Sequence, residues 1–165
     1  MVSVRAGTAD DVERVNDYYA SRRRGREAKP EDFLLLAEDN HTVIGVVRLC
    51  PEEGFLVLRG MDIAPTYRRQ GLGKKMLLQL VAHIGEIDCY SLPWEHLQPF
   101  YGIIGFEHVA DTDLPGFLQD RMAKTHEQMQ DAEIQRLMQA DLGVYPESGL
   151  AMIGMMRPKN TIINP

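Results

Sequence analysis

Met61-Asp62-Ile63-Ala64-Pro65-Thr66-Tyr67-Arg68-Arg69-Gln70-Gly71-Leu72-Gly73-Lys74-Lys75 is the stretch on which the reading of this chain turns. The residues before it, Phe55 to Ile63, have the composition of a strand. After it Leu72, Met76, Leu77, Leu80, Val81 and Ile84 recur at helical spacing, which predicts an amphipathic helix of about three or four turns stopped at Gly85. A loop between a strand and a helix start meets backbone N–H groups with no partner inside the helix, and their aligned dipoles favour an anion there. Gly71 and Gly73 let the backbone approach phosphate oxygens without an intervening Cβ. Arg68, Arg69, Lys74 and Lys75 supply charge-assisted contacts around them.

Two familiar phosphate loops fail on residues that their mechanics require. A P-loop needs glycine where Arg68 stands and Ser or Thr where Lys75 stands; a dinucleotide fingerprint needs a third small residue where Met76 stands. What remains is an R-x-x-G-x-G loop between a strand and a helix.

Outward from this loop the pattern is mixed α/β. Val2 and Val4 alternate with polar residues as in a half-buried strand, and a helix is expected next, with Thr8 as its cap and Val12, Val15 and Tyr19 on its apolar face. Arg22-Arg23-Arg24-Gly25-Arg26 reads as a solvated helix end or loop. Phe33 to Ala37 and Thr42 to Leu49 predict a hairpin turning at Glu38 to His41, and Pro51 to Gly54 make the next turn. Gly60, inside the third of these strands, suits a bulge or a close approach. Downstream, Ile87 to Leu92 and Phe106 to Ala110 are expected as strands, Leu114 to Leu142 as mostly helix with a Met-rich apolar face, and Gly149 to Met156 as the last strand.

A length of 165 residues fits one domain. No apolar run approaches the roughly 20 residues needed to cross a bilayer, and the N-terminus lacks the layout of a secretory signal, so a soluble cytoplasmic protein is expected. The two cysteines, Cys50 and Cys89, have no metal-ligand or C-x-x-C spacing and are expected as small buried strand residues. A net charge of −6 without a basic stripe speaks against nucleic-acid binding and suits a cationic amine ligand.

The loop together with Pro65-Thr66-Tyr67-Arg68 resembles the acetyl-CoA pyrophosphate loop of the GNAT superfamily of N-acetyltransferases, and Phe100-Tyr101-Gly102-Ile103-Ile104-Gly105-Phe106 resembles that family's F-Y-x-x-x-G-F segment. The resemblance spans most of the chain. It implies a single domain over residues 1–165 with a GNAT-like α/β fold: a central, mostly antiparallel mixed sheet with a V-shaped splay and helices on both faces. The helical stretch at about 114–142 would be an insertion that covers the acceptor site or packs in a homodimer.

The same resemblance implies acetyl-CoA as acyl donor, with no metal. Met61, Asp62 and Ile63 would pair with pantetheine as an added strand does, and Arg68, Arg69, Gln70, Gly71, Leu72, Gly73 and Lys74 would form the phosphate loop. The implied reaction is direct attack of a primary amine, on a small molecule or a peptide, within a ternary complex. Tyr101 would be the general acid for the departing thiolate; its plainer reading is helix packing. Many relatives carry a strand Glu at the position of Val57, which leaves Glu95, His96 and Asp62 as substitutes, Glu95 being assigned as base or relay. Two rivals belong to other classes: an acyl-CoA sensor or scaffold without turnover, and an interaction domain that has lost CoA.

Overall fold

The computed structural model describes residues 1–22 and 25–163. Two compact units emerge, Met1–Cys89 joined by the chain from Pro158 onward, and Tyr90–Arg157.

The first unit is a meander of four antiparallel strands: β1 (Val2–Ala6), β2 (Phe33–Asp39), β3 (Thr42–Glu52) and β4 (Phe55–Ile63), each paired with the next. Its two hairpins turn at Asn40-His41 and Glu53-Gly54, where all four residues have positive φ. Such two-residue turns match the twist of the strands that they join. Helix α1 (Asp11–Ser21) lays Val15, Tyr18 and Tyr19 on Leu34, Leu36 and Val46. Helix α2 (Leu72–Ile84) covers the other face: Phe33 stacks on His83 at 4.1 Å, and the Met76 sulfur closes over Gly45. The alternation of Leu34 and Leu36 with Phe33 and Leu35 along β2 is what feeds both layers. The helical face of α2 is the expected one, with Leu72, Met76, Leu77, Leu80 and Ile84 buried and Gly85 ending the helix at φ 67°.

One boundary differs. The Thr8 hydroxyl caps no helix amide and instead donates to Asp11 at 3.2 Å; α1 begins at Asp11, whose carboxylate also accepts the Thr8 N–H at 2.7 Å. Asp11 is fixed there by Arg5 and Arg14, a tertiary arrangement that displaces the local cap. Cys50 on β3 and Cys89, the first residue of β5 (Cys89–Ser91), are both buried, and burial pushes the Cys50 thiol up to about 12.

The second unit carries α3 (Gln98–Gly102), β6 (Glu107–Val109), α4 (Gly116–Met129), α5 (Ala132–Leu142) and β7 (Gly154–Arg157), with β6 antiparallel to β7. The expected long helix is two helices, because the Asp131 carboxylate accepts the N–H groups of Glu133 and Ile134 and starts a new one. The last strand begins five residues later than expected. The donors before it bond elsewhere: Leu150 N–H to Gln135, Met152 N–H to the His126 ring, Ile153 N–H to the Pro93 carbonyl. Arg157, buried, donates to the Ile104 carbonyl at 2.7 Å. Among the described residues no helix is long and apolar enough to cross a membrane.

Candidate functional site

The glycine loop leaves β4 through a single 3-10 turn, Pro65–Tyr67, and is tied down by side chains rather than by regular pairing. Arg68 Nε donates to the Ile63 carbonyl at 2.7 Å and its terminal nitrogen lies 3.5 Å from Asp62. Tyr67 Oη donates to Asp39 at 2.7 Å, and Gln70 to the Thr66 carbonyl at 2.9 Å. Gly71 then takes φ 82°, a left-handed turn with open space where a Cβ would stand, and α2 starts at Leu72 with no acidic residue in its first turn and no side-chain cap. The amides that open α2 and the exposed Arg69 and Lys74 thus lie together on the surface of this unit, while Leu72 anchors the helix start in the core. An anionic ligand fits that chemistry.

β4 carries the expected irregularity at Gly60. Pairing with β3 advances from Arg48↔Arg59 to Val46↔Asp62, so β4 holds one residue more than its partner. Without the insertion Val57, Arg59, Met61 and Ile63 would share a face; with it, Asp62 follows Val57 and Arg59 onto the α1 side. There Asp62 is buried and pairs with Arg22 Nε at 3.0 Å. This corrects the reading of residues 22–26 as solvated: Arg22 is largely buried, and Arg26 reaches the Met61 carbonyl at 3.4 Å. Arg23 and Arg24 lie outside the described residues. Two residues complete the region: Tyr19, expected only as part of an apolar face, and Arg48, which pattern reading missed. Tyr19 Oη donates to the Gly60 carbonyl at 2.7 Å, and Arg48, 2 % exposed in the middle of β3, donates to Tyr19 Oη at 3.2 Å and to Asp32 at 2.9 Å. The one signal for them was an arginine inside an otherwise apolar strand, Val43 to Cys50.

In the second unit Tyr101 is buried on α3, packed edge-on against Phe100 and Phe106 at centroid distances of 5.1 and 6.2 Å. Glu95 and His96 stand on the turn just before α3, exposed, at the rim of a cavity of about 640 Å³ that Gln98, Phe106, Glu107 and His108 also line. Although His96 is solvent-exposed at its edge, the desolvation it does undergo lowers its pKa. Val57 on β4 is fully buried.

A mixed α/β fold with a glycine loop opening a helix defines the class, and comparison with known proteins places the chain within it. The model of the acetyltransferase (GNAT) family matches residues 5–106. The chain belongs to that family of acyl-CoA-dependent N-acetyltransferases. Among solved structures it is similar to the Escherichia coli ribosomal-protein-S18-alanine N-acetyltransferase, at TM-score 0.58 and 13% identity over 98% of this chain and 96% of that one. A Pseudomonas aeruginosa acyl-CoA N-acyltransferase aligns at 0.56 and 19% over 95% and 99%. The Neisseria gonorrhoeae N-acetylglutamate synthase, in a complex with coenzyme A and N-acetyl-glutamate, aligns at 0.59 and 12% over 98% of this chain but 36% of its own, so this chain spans about a third of that protein's length. At these identities the likeness is one of fold. No curated protein matches the sequence.

Proposed function

We propose that this acetyltransferase moves an acetyl group from acetyl-CoA to a primary amine, by direct attack in a ternary complex. The observation that carries the reading is the start of α2: no side chain caps it, a left-handed Gly71 opens it, and Arg69 and Lys74 flank it. A CoA pyrophosphate suits that place. Arg68 is assigned to holding the loop, since its guanidinium already engages Ile63 and Asp62. Met61 to Ile63, at the end of β4, are assigned to the pantetheine arm.

A lysine-like amine sits about 3 pKa units above neutral, so deprotonation costs roughly 4 kcal/mol and a base or water relay is useful. Asp62 is a poor base because its carboxylate is committed to Arg22 and Arg68. Glu95, exposed and next to α3, is assigned as base or relay. Tyr101 is assigned as the acid that protonates the departing thiolate. No covalent enzyme intermediate and no metal enters this reading.

The sensor reading keeps one specific observation on its side, the buried Val57 at the position where the family resemblance implies a strand carboxylate. Thiol release from acetyl-CoA over a panel of amines separates the two. The enzyme reading expects amine-stimulated release, falling about a hundredfold in Tyr101→Phe. Tight CoA binding with no release on any amine would favour the sensor. CoA at about 100 times its dissociation constant should add roughly 2.7 kcal/mol of stability, and no thermal shift at all would leave only an interaction domain.

A further inference from the structure

We propose that Tyr19 and Arg48 are positioning residues for acyl transfer: they hold the β4 bulge at Gly60 in the register that presents Met61 to Ile63 to the cosubstrate. The proposal rests on the reading of β4 as the strand that receives acyl-CoA.

The hydrogen-bond directions are forced. A guanidinium only donates, so the Tyr19 hydroxyl accepts from Arg48 Nε at 3.2 Å, and its single proton is left for the Gly60 carbonyl at 2.7 Å. Arg48 is oriented in turn by Asp32 at 2.9 Å and by the Glu27 carbonyl at 2.8 Å. Its guanidinium also lies over the Tyr19 ring, 5.4 Å from the centroid. The result is a buried chain from Asp32 through Arg48 and Tyr19 to the strand. Tyr19 is 0% exposed and Arg48 2%. Burial raises the Tyr19 pKa, so the hydroxyl stays a donor.

Volume alone does not require this chain. A buried ion pair is often matched or bettered in stability by apolar residues of similar size. What an apolar set lacks is a directed donor for a carbonyl that the bulge takes out of the ladder. Gly60 fits the same account: its φ is 67°, and a Cβ there would run into Tyr19 Oη and stand 2.8 Å from Arg48 Nε. The bulge therefore has no room to move toward α1, and its carbonyl is held from that side. A slip of one residue would return Asp62 to the opposite face and remove it from Arg22.

The test compares wild type with Tyr19→Phe, Arg48→Lys and Val15→Ala, the last a buried α1 residue outside the chain. Calorimetry with CoA and with acetyl-CoA, thiol release from acetyl-CoA, and the amide resonances of residues 61–63 are measured on each. Tyr19→Phe and Arg48→Lys should lower thiol release about three- to tenfold. CoA and acetyl-CoA affinity should fall by no more than that factor, because the pantetheine arm draws on residues 61–63 while pyrophosphate binding at α2 is untouched, and the resonances of residues 61–63 should shift. Val15→Ala should lose stability and move neither readout. Wild-type release and resonances in Tyr19→Phe, or an equal fall in Val15→Ala, overturns the proposal while leaving the acyl-CoA reading intact. A wild-type protein that binds neither CoA nor acetyl-CoA overturns that reading and the proposal together. Should Tyr19→Phe not fold, Arg48→Lys is judged by the same criteria, and the resonances decide even if no acceptor amine is found.

Discussion

Helices α1 and α5 are both 11 residues long and are held in opposite ways. α1 has no side-chain cap, yet it buries Asp11, Val15, Tyr18 and Tyr19. A polar network grips each of its ends: Arg5, Arg14 and Glu38 around Asp11, and Arg48 with Asp32 behind Tyr19. α5 has an N-cap in Asp131 and a left-handed stop in Gly143, yet none of its residues is buried, and Leu137 is 53% exposed. Tertiary contacts hold the first helix and local rules hold the second. Loss of packing should therefore be costly in one and nearly silent in the other.

The largest effect should come from Arg48→Ala, which strands the buried Asp32 carboxylate and the Tyr19 hydroxyl. A loss of about 3–5 kcal/mol in equilibrium unfolding is expected, and a loss as small as a surface change would break the contrast. Asp11→Asn comes next, at about 1–3 kcal/mol at neutral pH, since it removes the charge and one of the two acceptor oxygens that two arginines engage. The Arg5 guanidinium, against the opposing effect of burial and with help from Thr8 N–H and Arg14, holds the Asp11 carboxyl well below the usual carboxylate range. A depressed folded-state pKa contributes stability above the unfolded value of about 3.9 and loses it as pH falls toward the folded one. The gap between wild type and Asp11→Asn should thus be full at pH 7 and close below about pH 4, which urea titrations over that window would read.

In α5, Asp131→Ala should cost about 1 kcal/mol, registered as faster amide exchange at Glu133 and Ile134. Leu137→Ser should change thermal stability least, by about 0.5 kcal/mol or less. A larger loss there would mean that α5 is held by packing after all, and the contrast between the helices would need redrawing.

The same division runs through what sequence reading reached. The segment from Phe55 to Ile84 was legible because each part carries its own local signal: a strand-forming run, the glycines of the loop, and apolar residues at helical spacing closed by Gly85. The hairpins at Asn40-His41 and Glu53-Gly54 were legible for the same reason, turn chemistry between apolar runs. The start of α1 was not, because Thr8 satisfies the local rule while Asp11, held by Arg5 of β1, decides the boundary.

By itself, then, the sequence determined the order of strands and helices around the glycine loop and the resemblance that the family match upholds, since those depend on neighbours along the chain. Only the tertiary structure decided that Gly60 is an inserted residue, that Asp62 turns toward Arg22, and that Arg48 sits buried behind Tyr19. The physical reason is parity. In a strand one extra residue exchanges the two faces, and whether it is tolerated depends on partners such as Tyr19, 41 positions away, which no local pattern contains.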